Sequence, residues 1–297
     1  MRDEIAINDR WTLVPGLRIE SISNEFENAL AGRTVGNDYT VVLPGIGARF
    51  EVVDGLTLLA GAHRGFSPAI PSLSGSLEPE EATNCEFGGR WQGELGRLEL
   101  IGYYSDYSNL TAICTVSSGC AANSLDTQTN AGEVETIGVE AGWSHEFDMG
   151  SSLSVPIMVN YTFTDAEFRE AFSSPNPQFG DVMPGHELPY IPPHRANASI
   201  GLDASWWGAQ LSVTYVDRMR DQAGTGSFPA NAGSDSSKIV DLAAHFDVGD
   251  SWTITGRVDN VADETYVVSR RPFGARTTKP RTFRLEARYH LSRAGAR

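Results

Sequence analysis

The side chains that could do chemistry begin with a pair of cysteines. Cys114 and Cys120 enclose the residues Thr-Val-Ser-Ser-Gly, a spacing that a disulfide can close. A disulfide is favoured if this segment is a surface loop of an exported protein. A metal bound by the same pair is the alternative, but no cluster of His or Cys lies beside it in the sequence. We therefore predict a Cys114–Cys120 disulfide.

Two histidines flank a proline-rich run and could bind a metal together. His186 and His194 lie near Glu187, but zinc sites have tighter spacing and more ligands than this stretch offers. We therefore expect both histidines to be loop and strand-entry residues, and we expect no metal site. The sequence also lacks the HExxH, GxSxG, Walker and dinucleotide-binding motifs. These absences predict a protein that is not an enzyme and has no cofactor.

A group of arginines lies near the ends of the last apolar segments. A guanidinium group pairs with a carboxylate through two parallel hydrogen bonds, so these residues are candidates for binding an anionic ligand. The alternative is that they are solvated or paired with Asp217, Asp221 and Glu264. The candidates are Arg218, Arg220, Arg270, Arg271 and Arg276.

Charge and composition limit the class of protein that carries these residues. The 297 residues include 23 Lys plus Arg and 38 Asp plus Glu, which gives a net charge of −15 and argues against a nucleic-acid partner. Hydrophobic residues make up 40% of the chain, enough for a folded protein. A run of about 18 apolar residues is missing, which excludes a helical membrane protein.

The strongest structural signal is an alternation of apolar and polar residues, which sends neighbouring side chains of a strand to opposite faces. Near the end of the chain, Phe283, Leu285 and Ala287 alternate with Arg284 and Glu286. Counting such runs predicts about 13 strands, many of them longer than the usual strand of about 5 or 6 residues. The predicted strands span residues 2–7, 10–20, 38–52, 56–66, 81–92, 95–109, 132–147, 152–168, 188–204, 208–222, 236–248, 251–266 and 280–291.

The connections between these strands alternate in length. Short turns such as Asp54-Gly55 and Gly249-Asp250 alternate with long loops, which we predict near residues 21–37, 67–80, 110–131, 169–187, 223–235 and 267–279. All six tryptophans lie near the short turns. Short turns at one rim, long loops at the other and a ring of aromatic residues are typical of outer-membrane barrels.

The fold class predicted from these patterns is all-β, an antiparallel transmembrane β-barrel. A soluble β-sandwich or propeller would also show alternation, but it would not need long strands or tryptophans gathered at one rim. In the barrel the apolar side chains face lipid and the polar ones face the lumen. Cys85 shares the apolar register with Phe87 and Trp91, so we predict that it is a lipid-facing residue without chemical function.

Several segments resemble the TonB-dependent outer-membrane receptors. Residues Pro79 to Trp91 are similar to the family's "PE…E.G" strand, Ala60 to Pro68 to a strand that leads into a surface loop, and Asp259 to Tyr266 to its "NLFD..Y" segment. Pro280 to Leu291 resembles its closing strand. The segment from Ile101 to Leu110, followed by a cysteine-containing loop, resembles the ferric dicitrate and siderophore receptors most.

This resemblance implies TonB-dependent uptake of a ferric chelate across the bacterial outer membrane. It covers residues 1–291 and leaves 292–297 as a tail, whereas the family's plug domain and TonB box have no counterpart in the sequence. We therefore expect the C-terminal part of a receptor barrel, with about 13 of about 22 strands. Its partners would be outer-membrane lipid, a ferric chelate bound by the arginines, and the TonB complex through the missing N-terminal region. The alternatives are a passive porin-like channel or barrel adhesin and a soluble carbohydrate-binding β-protein.

Overall fold

The chain forms one large antiparallel sheet. The computed structural model describes residues 3–29, 32–69, 78–125, 127–150, 152–228, 230–271 and 274–291. Thirteen strands of the sheet follow each other in chain order, and each pairs with its neighbour in an antiparallel ladder. The sheet confirms the prediction of an all-β, partial barrel fold.

The described strands include six short ones that lie outside the sheet and form three hairpins. In chain order the strands are β1 (Ile5–Ala6), β2 (Trp11–Asn28), β3 (Arg33–Val53), β4 (Leu56–Ser67), β5 (Glu80–Gly93), β6 (Gly96–Ser108), β7 (Thr111–Ile113), β8 (Gln128–Asn130), β9 (Val134–Asp148), β10 (Leu153–Phe168), β11 (Phe172–Ser173), β12 (Asp181–Val182), β13 (His194–Ala204), β14 (Trp207–Val216), β15 (Ser237–Val248), β16 (Trp252–Asp259), β17 (Val267–Ser269), β18 (Arg276–Thr277) and β19 (Thr282–Tyr289). A single turn of 3₁₀ helix spans Ala122–Ser124.

One face of the sheet is apolar and exposed. The register places Leu211 opposite both Ile200 and Leu242, so the apolar residues of adjacent strands form continuous rows. Leu285, Ile200 and Leu242 are 82%, 48% and 41% exposed. In a soluble sandwich these side chains would be buried against a second sheet. Their exposure contradicts that reading and fits a sheet whose apolar face is in contact with lipid.

The opposite face of the sheet is polar. Arg90 forms an ion pair with Glu99 on the neighbouring strand, and the Tyr103 hydroxyl lies 2.6 Å from the Thr164 hydroxyl. All these residues occupy the alternate register to the apolar rows, as the sequence pattern predicts. We call this surface the inner face.

Several strands end at positions that the alternation does not predict. β2 and β3 continue through most of the expected loop 21–37 and meet near Gly32, whose φ is +60°. Alternation detects only the lipid-facing part of a strand, whereas backbone pairing continues through polar residues beyond it. β13 starts at His194 rather than residue 188 because Pro192 and Pro193 have no N–H to donate to a ladder. β14 and β16 end at residues 216 and 259, earlier than expected.

The tryptophans gather at the short-turn rim. Trp11 packs on Phe50 with ring centroids 4.6 Å apart, and Trp252 packs on Tyr289 at 4.9 Å. The Trp143 indole donates to the Leu95 carbonyl in the turn between β5 and β6. This arrangement is the belt of aromatic residues that the sequence predicts for one membrane interface.

The sheet is open within the described residues. Its edges are β1 and β19, and each has a hydrogen-bonded neighbour on one side only. Lipid offers no hydrogen-bond partner to the backbone groups of such edges. The expected tail 292–297 and residues 70–77 of the expected loop 67–80 lie outside the described residues. None of the described helices is long and apolar enough to cross a bilayer.

Candidate functional site at the long-loop rim

The long loops at one rim of the sheet pack on each other. Phe168, Val134 and Val182 are buried almost completely and form a hydrophobic cluster with loop residues such as Phe172 and Phe179. The Phe168 ring lies 5.4 Å from that of Phe172 and 5.8 Å from that of Phe179. Among the described residues, this cluster is the hydrophobic core of the protein. Ala223 also packs against this cluster, which connects it to the loop that follows Arg218 and Arg220.

The cysteine-containing loop is closed on itself. The Cys114 and Cys120 sulfurs are bonded, with Cα atoms 5.6 Å apart. Inside the ring, the Ser118 hydroxyl accepts a hydrogen bond from the Thr115 amide at 2.9 Å and donates to the Thr115 carbonyl at 3.0 Å. This geometry turns the Ser118 carbonyl outward, where the Arg271 guanidinium donates to it at 2.8 Å.

We expect Cys114 and Cys120 of the native protein to resist alkylation until a reductant is added. The measurement is mass spectrometry after maleimide treatment of a Cys85→Ser variant, so that any label comes from the loop pair. The control is the same variant treated after reduction, which should carry two labels. Two labels without a reductant would show that the loop holds free thiols.

Three of the five predicted arginines hold loops in place. Arg270 donates to the carbonyls of Gly233 and Ala230, each at 2.7 Å, and Arg271 reaches the Pro177 carbonyl as well as Ser118. Arg220 is 6% exposed and donates to both carboxylate oxygens of Glu187, at 2.6 and 3.3 Å. Their donors are largely occupied by the protein itself.

The other two predicted arginines are exposed. Arg276 lies on β18, and no described residue binds its guanidinium group. The Arg218 guanidinium lies 4.7 Å from the centroid of the Phe228 ring, an arrangement in which a cation is attracted to the ring face. Within the described part of the chain, none of the five arginine side chains forms an ion pair with Asp217, Asp221 or Glu264, and the partner of Arg220 is Glu187.

Asp217 fixes the backbone next to Arg218 instead. Burial would raise the pKa of its carboxyl group, but hydrogen bonds from the Ser236 hydroxyl at 2.8 Å and the Arg218 amide at 2.8 Å hold that pKa below its ordinary value. The Arg218 amide also lies 3.2 Å from the Ser236 hydroxyl oxygen. Asp217 is therefore charged at neutral pH, and its carboxylate fixes the backbone at the start of the loop that follows β14.

The structure adds a cation that the sequence analysis did not single out. Arg195 lies on the polar register of β13, opposite Val216 of β14, and is exposed. No described residue hydrogen-bonds or pairs with its side chain. Its place in the alternation identifies the face it lies on, but its position opposite Val216, two residues before Arg218, depends on the pairing of β13 with β14.

A second group of cations surrounds one carboxylate near the last strands. Asp259 accepts from Arg257 at 2.5 Å, Lys279 at 3.0 Å and Arg284 at 2.6 Å. The following residue, Asn260, is 2% exposed and its side-chain amide donates to the Glu264 and Lys279 carbonyls. These bonds hold the loop after β16, and the three cations share Asp259 as their partner.

The two histidines are not brought together. His194 lies on the apolar side, where its Nδ1 is 2.9 Å from the Tyr161 hydroxyl, while His186 lies 3.4 Å from the Met183 amide. His194 is the first residue of β13, as expected for a strand-entry residue. Within the described ranges, no group of three or more His, Cys, Asp or Glu side chains could hold a metal ion.

These features define a class of protein. A sheet of long antiparallel strands, apolar outside and polar inside, with packed loops at one rim and tryptophans at the other, is the architecture of a transmembrane β-barrel. The sequence matches the family model "TonB dependent receptor-like, beta-barrel" over residues 1–261. The chain belongs to this family.

Solved structures agree with this assignment. The chain is similar to the ferric citrate transporter FecA, with 20% identity, a TM-score of 0.74, and coverage of 97% of this chain and 44% of FecA. The siderophore receptor PiuA from Acinetobacter baumannii gives 19% identity, a TM-score of 0.71, and coverage of 96% and 41%. The copper transporter OprC gives 18% identity, a TM-score of 0.70, and coverage of 96% and 45%. At these identities the similarity shows the fold, and the chain spans less than half the length of these proteins.

Proposed function

We propose that this chain is the C-terminal barrel part of a bacterial outer-membrane receptor that takes up a ferric chelate with energy supplied through TonB. The observation that carries the proposal is the two-faced sheet of a family member, with its apolar rows exposed and its polar rows on the inner face. Ferric citrate and siderophore receptors are among the proteins whose structures resemble it. The chain binds and admits the ligand but performs no chemical step on it.

The open edges of the sheet support the proposal that the chain is part of a larger barrel. β1 and β19 would each pair with further strands of the same protein, and a plug domain would fill the lumen. In this proposal, contact with the TonB complex would be made by the N-terminal region of the receptor, which this chain does not include. The long loops that pack around Phe168 would close part of the outer mouth of the barrel.

Uptake by cells that produce the protein from its own gene tests this function. We expect radioiron from a ferric chelate to accumulate in iron-starved cells, to stop accumulating when the gene is deleted, and to stop when TonB is removed. Ferric citrate and a neutral ferric trihydroxamate serve as probes, and membrane fractionation should recover the protein with the outer membrane.

A passive channel is the competing function, and the same experiment separates the two. A channel would admit the probes equally well without TonB. Uptake that survives removal of TonB, or no gene-dependent uptake of either probe, would contradict the proposed receptor function.

A further inference from the structure

We propose that Arg195 and Arg218 form a two-guanidinium site on the inner face that binds the carboxylates of an anionic ferric chelate. This inference rests on the proposed function and names the ligand class and the residues that select it. It differs from the prediction made from sequence, because it includes Arg195 and assigns Arg220, Arg270 and Arg271 to loop structure.

The pairing of β13 with β14 places the two arginines on one face. Arg195 lies opposite Val216, so both point to the inner side of the ladder. The Asp217 amide donates to the His194 carbonyl at 2.9 Å, which extends the ladder by one residue beyond β14. Arg218, the next residue, continues the inner register. Diagonal neighbours of this kind are about 7–8 Å apart, within the span of one polycarboxylate ligand.

Both guanidinium groups have donors to offer. Arg195 and Arg218 are exposed, and neither side chain has a hydrogen bond or ion pair to any described residue. The other inner cations of this region differ, because Arg257, Lys279 and Arg284 are all paired with Asp259. An anion at Arg195 and Arg218 therefore has no carboxylate of the described residues to displace.

Arg218 is held in position before any ligand arrives. The Phe228 ring lies under its guanidinium, and the Arg220 guanidinium carbon lies 4.9 Å from the centroid of the same ring. Arg220 is itself fixed by Glu187 and by the Gly226 carbonyl. Gly233 makes room for the ring, since a Cβ there would lie 2.3 Å from Phe228 Cε2. A stacked guanidinium loses less conformational entropy on binding than a mobile one.

The chemistry of the site favours carboxylates. The planar fork of a guanidinium matches the two oxygens of a carboxylate, and two forks side by side match a ligand with at least two such groups. The adjacent inner positions are neutral: Thr162 lies opposite Arg195, and the Asn197 amide donates to the Thr214 hydroxyl at 2.9 Å. The chain as a whole carries a charge of −15, so an anionic ligand depends on this local pair of cations.

The test compares binding of ferric citrate and of a neutral ferric trihydroxamate to cells that produce the protein from its own gene. The variants are Arg195→Gln, Arg218→Gln and the double variant. Arg10→Gln at the opposite rim is the control for a loss of one positive charge. Because charged hydrogen bonds are the strong ones, we expect each single variant to weaken ferric citrate binding by about tenfold or more and Arg10→Gln to leave it unchanged.

A second variant tests the positioning of Arg218. Phe228→Leu keeps the charge and removes the ring, so we expect a smaller loss of ferric citrate affinity than Arg218→Gln causes. Binding of the trihydroxamate, if the wild type binds it, should not change in any of the four substitutions.

The outcomes separate the site from the function. Wild-type binding of ferric citrate that survives the double variant would overturn the site. Binding of the trihydroxamate without ferric citrate would also overturn it, while leaving the receptor function standing. Binding of neither iron probe would contradict the proposed function itself, and with it the carboxylate-selective site.

Discussion

Replacing Leu211 by arginine is expected to destabilise the folded sheet by about 2–4 kcal/mol, the cost of placing a cation near the middle of the lipid-facing side of a barrel. Leu211 lies in the middle of β14 and is 41% exposed among the apolar side chains of Ile200 and Leu242. The same substitution at Gln210 should be tolerated, because that neighbour occupies the inner register opposite Gly201 and Ala243.

The measurement is urea unfolding of the two variants in lipid vesicles, together with the fraction of each that assembles in the outer membrane. Gln210→Arg is the matched control, since it adds the same side chain one residue away. If both variants were equally stable, or if Gln210→Arg were the weaker one, the apolar face would not be in contact with lipid.

Replacing Phe168 by alanine is expected to loosen the packing of the long loops on each other. Phe168 has 0% exposure and packs edge-on against two further phenylalanines, and truncating such a buried ring costs about 3–5 kcal/mol. Because the ring belongs to the loop cluster, we expect this loss to appear as faster protease cleavage of the long loops of the protein in vesicles. The strands of the sheet should remain folded, since Phe168 and Val134 form the last pair of the β9–β10 ladder and the pairs before them lie outside the cluster.

Phe87→Ala provides the control for this experiment. Phe87 is 65% exposed on the lipid-facing side, so its truncation removes a ring of the same size without opening a cavity in the loop cluster. Cleavage of the loops at the same rate in Phe168→Ala as in the wild type would show that the cluster does not hold the loops together.

The positions of the strands follow from the sequence, but their ends do not. The alternation around Leu285 and around Ile200 identifies β19 and β13 because lipid requires apolar side chains at every second position. That requirement stops where the bilayer stops. The polar continuation of β2 and β3 through residues 21–37 is therefore visible only in the structure, as backbone pairing between Asn24 and Asn37 and beyond.

The charge and spacing of the arginines drew attention to the long-loop rim, and their role in ligand binding stays a prediction. The spacing of Cys114 and Cys120 led to the disulfide prediction, and the two sulfurs are bonded in the structure. The sequence could not show which guanidinium groups are occupied. Arg271 binds the Ser118 carbonyl across a sequence separation of 153 residues, and the partner of Arg220 is Glu187 rather than Asp221.

The sequence by itself determined the class of fold and the side of each strand that meets lipid, because both depend on a local period of two residues. The tertiary structure decided which guanidinium groups are occupied by the protein itself. Arg195 lies opposite Val216, two residues before Arg218, only through the register of two strands. Arg220, Arg270 and Arg271 bind loop residues that are distant in sequence. Contacts of this kind depend on chain pairing in three dimensions, which no local pattern records.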